Sequence, residues 1–213
     1  MKKIILILLV VFLGIETKAQ FVNSVGITAG ASFGNQKFLF REPASIKRKK
    51  YIIGGNGSVF AEFFSHDRVR WVSEFQFNQK GSRDPINDTT TLRNQLDYIC
   101  WNNYLKIRHE MYSIVPYVMV GPRLEYMLTQ KTQSPEITGS FLPLHVSLAV
   151  GGGVELVTYG NFKPFIEAFY NPDIMPAYIS TPMHIPNKIF EVRIGLKMEL
   201  RSRQSCNTPI YVE

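Results

Sequence analysis

His145 and Ser147 are the side chains best suited to covalent chemistry in this chain. They are two residues apart, and Glu155 follows at the same parity, so a strand would carry all three on one face. A histidine can take the proton of a serine hydroxyl that attacks an acyl carbon, and an acid can assist it. Along one strand, however, Glu155 would lie about 33 Å from His145. The residue types permit hydrolysis, but the spacing favours ordinary strand residues.

Other site chemistry is sparse. No metal-ligand spacing and no nucleotide motif is visible in the sequence. Gly151, Gly152 and Gly153 form a glycine run, but they lack the strand-to-helix context that a phosphate-binding loop needs. The sequence therefore predicts neither a metal nor a cofactor.

Eight segments with alternating apolar and polar side chains would position these residues. Between Phe190 and Leu200 the alternation is strict, which is typical of a strand with one apolar and one polar face. The His-x-Ser pair lies in the sixth such segment. The predicted strands are Val22–Phe33, Tyr51–Phe64, Arg68–Lys80, Asn94–Arg108, Ile114–Leu128, His145–Tyr159, Lys163–Asn171 and Phe190–Leu200.

The connections between these strands alternate in length. Those after strands two, four and six are short, whereas the others have roughly a dozen residues or more. This pattern predicts an all-β fold, an eight-stranded antiparallel up-and-down transmembrane β-barrel. Its short turns would face the periplasm, and an even strand count places both termini there as well. Pro122 is central in the fifth strand and predicts a local bulge or bend.

The first residues read as a secretion signal. Lys2 and Lys3 precede the apolar run Ile4–Ile15, and Thr17-Lys18-Ala19 supplies small residues at the cleavage positions. We expect a signal peptide at residues 1–19, an outer-membrane β-barrel at residues 20–200 and a C-terminal tail at residues 201–213.

Composition narrows the class of protein. Cleavage after Ala19 would leave 21 basic and 16 acidic residues, a net charge of +5. Nucleic acid is a poor partner for a secreted chain, whereas anionic lipid head groups suit this charge. The mean hydropathy of −0.04 is far below that of a helical membrane protein. Two cysteines, Cys100 and Cys206, are too few for a disulfide framework.

The polar faces of the predicted strands carry both signs of charge. Since small barrels are filled by side chains, we expect these charges to form a paired, hydrogen-bonded network in the interior, with an ion or proton path as the alternative. The residues concerned are Glu62, Arg70, Glu74, Lys106, Arg123, Glu125, Glu155, Glu167, Glu191, Arg193, Lys197 and Glu199.

A basic run marks the first long loop. Lys47, Arg48, Lys49 and Lys50 follow one another, and Glu42 is the only acid nearby. A solvated loop is the simple interpretation. The sharper prediction is contact with lipopolysaccharide phosphates, since each basic residue near an anionic surface contributes about 1 kcal/mol.

Three stretches resemble a known family. Trp71–Gly81 ends in Gln-Lys-Gly, Leu96–Ile107 contains Tyr-Leu-Lys, and Pro116–Arg123 reads Pro-Tyr-Val-Met-Val-Gly-Pro-Arg. Together they are similar to the PorT-like outer-membrane β-barrel domain of Bacteroidetes, a group of Gram-negative bacteria. The resemblance implies that Pro122 is tolerated, and it implies a role linked to protein secretion or surface assembly. It supplies no set of functional residues.

The sequence therefore predicts a non-enzymatic outer-membrane protein with a structural or accessory role. Its expected partners are outer-membrane lipid, lipopolysaccharide and other envelope proteins. Two alternatives stay open. A lipid A-modifying hydrolase would need His145, Ser147 and an acid to converge on the lipid-facing wall, and a narrow porin-like channel would need a continuous lumen.

Overall fold

The computed structural model of the chain describes residues 22–40, 45–48, 50–64, 68–85, 91–132, 142–158, 160–175, 178–180, 183–185 and 187–200. The predicted signal peptide and C-terminal tail lie outside these ranges. Among the described residues, no helix is long and apolar enough to cross a membrane.

Eight long strands form one closed barrel. Each is antiparallel to its neighbours, and the last strand pairs with the first from Ser24↔Glu199 to Gln36↔Asn187. Closure gives every strand two partners, which leaves no edge unpaired. The strands are β1 (Val22–Phe40), β3 (Lys50–Phe63), β4 (Val69–Pro85), β5 (Thr91–Arg108), β6 (Ile114–Thr132), β7 (Leu144–Leu156), β8 (Phe162–Pro172) and β11 (Asn187–Glu199).

The two ends of the barrel differ. At one end, here called the turn end, β1 begins, β11 ends, and the connections 64–68, 109–113 and 157–161 join neighbouring strands. At the other, the loop end, three short strands extend the sheet. These are β2 (Ser45–Arg48), which pairs with β1, and β9 (Tyr178–Ser180) and β10 (Met183–Ile185), of which β10 also pairs with β1.

The predicted assignment of faces is confirmed. On β11 the side chain of Ile194 is 65% exposed, whereas that of its neighbour Arg193 is 1% exposed. Trp71, Phe75 and Phe77 of β4 likewise lie on the outer wall. The outside of the barrel is therefore apolar and the inside polar, the pattern of a barrel that stands in lipid.

The loop between β4 and β5 is shorter than predicted. β4 and β5 continue past Lys80 and Asn94 and pair as far as Pro85↔Thr91, so that their connection is only residues 86–90. The polar side chains there suggested a long loop. Backbone pairing continues because a ladder needs no apolar face once it lies beyond the membrane.

Of the bulge or bend predicted at Pro122, the bulge is absent from the described strands. The pairs between β5 and β6 pass from Asn102↔Arg123 to Leu105↔Val120 without a change of register, and Pro122 pairs with Leu148 on its other side. The register shift of this pair of strands lies instead between Asp97 and Tyr98.

Candidate functional site: the ion-paired lumen

Charged side chains fill the lumen. Seven basic and seven acidic residues have buried side chains within the described part of the barrel. Eleven of the twelve predicted interior charges are among them, whereas Glu199 is half-buried at the turn end. Lys80, Arg108 and Asp173 were not predicted. The fourteen are Arg70, Lys80, Lys106, Arg108, Arg123, Arg193, Lys197, Glu62, Glu74, Glu125, Glu155, Glu167, Asp173 and Glu191.

Glu62 organises the turn end of the lumen. Its carboxylate lies 2.7 Å from Nη1 of Arg70 and 2.6 Å from Nζ of Lys106, and it accepts a 2.9 Å hydrogen bond from Ser24. Lys106 also pairs with Glu155, which lies 2.6 Å from Nζ of Lys197. These contacts join six strands across the barrel.

Arg193 occupies the middle of the lumen. Its guanidinium lies 2.9 Å from Oε1 of Glu74 and 2.7 Å from Oε1 of Glu167, and it stacks 4.4 Å from the centre of the Phe169 ring. Tyr117 donates a 2.8 Å hydrogen bond to Glu167. One arginine thus compensates two carboxylates, and an aromatic ring covers it.

Glu191 forms the next layer towards the loop end. Its carboxylate accepts hydrogen bonds from Gln76 at 2.8 Å, Asn78 at 2.7 Å and Asn171 at 2.7 Å. Nη1 of Arg123 lies 2.9 Å from the same group. A buried carboxylate with this many donors is fully compensated.

Four residues from four chain segments meet nearest the loop end, and we call them the His145 cluster: Lys80, Glu125, His145 and Asp173. Nε2 of His145 lies 2.9 Å from Oε2 of Glu125 and 3.8 Å from Oδ1 of Asp173. Lys80 pairs with Glu125, and its Nζ lies 3.9 Å from Asp173. Nε of Arg123 approaches Glu125 at 2.9 Å from the neighbouring layer.

The predicted His-x-Ser pair does not form a nucleophile and its base. His145 and Ser147 both face the lumen and are buried. The hydroxyl group of Ser147 donates a 2.7 Å hydrogen bond to Glu125. Glu155 belongs to the turn-end contacts with Lys106 and Lys197. His145, Ser147 and Glu155 therefore do not converge on the lipid-facing wall, as a lipid A hydrolase would require.

The basic run lies largely beyond what the structure describes. Lys47 and Arg48 belong to β2, but their side chains and the whole of Lys49 lie outside the described residues. Lys50 is the first residue of β3 and is exposed. The contact of these four residues with lipopolysaccharide stays a prediction.

Only some of the lumen charges that were not predicted could have been found from the sequence. Lys80 and Arg108 share the parity of the predicted inward residues Glu74 and Lys106, so the alternation itself contained them. Asp173 follows the end of β8, forms an isolated bridge with Ser147 and exchanges hydrogen bonds with Asn187 of β11. Its position depends on pairing between strands, which no pattern within one segment reports.

Comparisons with known proteins give structural neighbours only. No family model and no curated protein matches the sequence. Neisserial surface protein A shares 13% identity at a TM-score of 0.49, covering 82% of this chain and 96% of that one. Ail of Yersinia pestis, solved with the heparin analogue sucrose octasulfate, shares 13% at a TM-score of 0.45, covering 83% and 99%. The outer membrane enzyme PagL shares 11% at 0.43, covering 83% and 99%.

These values assign no function to the chain, so its class follows from its own architecture. The eight long strands close on themselves, large apolar side chains cover the outer wall, and paired charges fill the lumen. Hydrocarbon accepts a sheet only when every backbone group is paired, as closure ensures here. The chain is an outer-membrane β-barrel protein.

Proposed function

We propose that this protein is a non-enzymatic, non-conducting outer-membrane barrel with a structural or accessory role in protein secretion or surface assembly. The observation that carries the proposal is the ion-paired lumen. Its seven basic and seven acidic side chains balance, and they form contacts at every level from Glu62 to the His145 cluster.

The packing of the lumen supports a closed barrel. Beside Arg193, between Glu74, Tyr117 and Glu167, lies a cavity of about 10 Å³, which is room for about one water molecule. A continuous water path would require buried ion pairs to separate. Removing one partner of a buried pair costs about 3–5 kcal/mol because the other charge is left uncompensated, and separating the partners would incur the same kind of penalty.

Planar-bilayer recording tests the closed lumen. We expect the purified full-length protein to give no discrete conductance steps, while a porin reconstituted in the same way gives them. Regular steps of one size that scale with the amount of protein inserted would overturn the proposal and favour the narrow channel.

We further propose that the turn end faces the periplasm, so that both ends of the barrel domain lie there. Short turns on the periplasmic side are the rule for outer-membrane barrels. In this orientation β2 lies on the outer side of the membrane, where Lys47–Lys50 would meet lipopolysaccharide phosphates.

Site-specific crosslinking in the native outer membrane tests both the orientation and the accessory role. A photoreactive residue at Tyr112, which is fully exposed in the turn 109–113, should attach to a discrete periplasmic or periplasm-facing envelope protein. The same residue at Ile194 on the outer wall should attach to lipid only. Lipopolysaccharide adducts at Tyr112 would reverse the orientation, and a lack of any protein adduct there would contradict an accessory role on that side.

A further inference from the structure

We propose that Glu125, His145 and Asp173 bind a divalent transition-metal ion at the loop end of the lumen. One potential ligand atom from each of the three lies within 4.8 Å of the others. Glu125 and His145 are direct partners in the β6–β7 ladder, and Asp173 reaches them through its bridge to Ser147. Backbone pairing therefore holds the three donors together.

Unsatisfied polar atoms point into this space. Side chains of all three residues are 0% exposed. Oδ2 of Asp173 accepts a 2.9 Å hydrogen bond from the Asn187 amide, but Oδ1, which faces His145, has no hydrogen-bond partner among the described residues. Nε2 of His145, the ring nitrogen that faces both carboxylates, also forms no hydrogen bond of good geometry with the described residues. Buried polar atoms are nearly always paired, so an ion or an ordered water belongs here.

The donor set indicates the class of metal. One imidazole nitrogen and two carboxylates suit first-row ions such as Zn²⁺, Co²⁺ or Mn²⁺. Ca²⁺ and Mg²⁺ prefer oxygen ligands alone. We therefore expect the site to prefer the first-row ions.

Lys80 is a competing cation in the cluster. Its ammonium pairs with Glu125 and lies 3.9 Å from Oδ1 of Asp173, so it must move when a metal enters. The Tyr98 ring, whose centre is 4.9 Å from Nζ, offers an aromatic surface that attracts an ammonium group. Replacing Lys80 with methionine removes the competitor and keeps all three ligands, so it should tighten binding.

Cobalt titration tests the site. The full chain, folded in detergent and stripped with a chelator, is titrated with Co²⁺, whose visible absorption reports ligand geometry, and Zn²⁺ is then added as a competitor. We expect one saturable equivalent in the wild type. Changing even a hydrogen-bond partner of a metal ligand weakens metal binding about 10–100-fold, so His145→Gln and Asp173→Asn, which change the ligands themselves, should weaken it at least tenfold. Lys80→Met should strengthen it about tenfold, since loss of one ion pair of about 1.4 kcal/mol is a factor of ten.

The matched control is His109→Gln, which removes an exposed imidazole at the opposite end of the barrel and should leave the titration unchanged. Folding of each variant is verified by heat-dependent migration in gels. If His145→Gln fails to fold, the Co²⁺ affinity of Lys80→Met still tests the proposed site. The proposal is overturned if neither the wild type nor Lys80→Met shows saturable binding, if His109→Gln weakens it as much as His145→Gln, or if Mg²⁺ displaces Co²⁺ as well as Zn²⁺ does.

Discussion

Replacing Arg193 with methionine should lower the free energy of unfolding by about 3–5 kcal/mol. The guanidinium is the nearest cation to Glu74 and Glu167, and it is 1% exposed. Methionine keeps much of the volume but removes the charge. Two carboxylates would then stand in the middle of the lumen with no compensating cation and little room for water. Urea unfolding of the reconstituted protein measures the change.

Two further variants separate the lost pairing from a general effect of losing an arginine. Arg68→Met makes the same substitution at an exposed position of the turn end and should change the stability by less than about 0.5 kcal/mol. Adding Glu74→Gln and Glu167→Gln to Arg193→Met should recover most of the loss, because neutral amides need no counter-ion. If the triple variant is less stable than Arg193→Met alone, the carboxylates are not what the arginine compensates.

The assignment of faces could be predicted because it depends on parity alone. Successive side chains in a strand alternate, so Glu191, Arg193 and Lys197 had to share a face, and lipid on the other side fixed which face it was. The partners of these charges depend on strand order and stagger. Arg193 meets Glu74, which is 119 residues away, because β11 and β4 face each other across the closed barrel. No spacing within one segment reports such a contact.

The same physical reason explains why the sequence did not identify the partner of His145. The sequence offered Glu155, ten residues along the same strand, where the distance is about 33 Å. The structure instead places Glu125 opposite His145 in the ladder, and residues paired across strands are only about 5 Å apart. The cluster with Lys80 and Asp173 could therefore be found only after the register of four segments was known.

Replacing Ile194 with arginine should destabilise the membrane-inserted barrel by about 2–4 kcal/mol, the cost of a basic residue at the bilayer midplane. The depth of Ile194 in the bilayer can be read from its neighbouring strand, β8. Phe162 and Tyr170 both lie on the outer wall of that strand, about 26 Å apart along it and about 20 Å apart along the membrane normal at the usual strand tilt, so both lie towards the edges of the apolar band. Ile166 lies midway between them, and Ile194 is its direct partner in the ladder.

Tyr112→Arg is the control for this substitution, because the side chain at 112 is 100% exposed in a turn where an arginine would remain in water. It should change the free energy of unfolding by less than about 0.5 kcal/mol. Both variants are unfolded with urea from vesicles of one lipid. Met198→Arg, on the same strand but nearer the turn end, should lower the free energy of unfolding less than Ile194→Arg does. A basic residue near the membrane interface costs only about 0–1 kcal/mol. Equal, small effects at positions 194, 198 and 112 would mean that water rather than hydrocarbon surrounds the outer wall.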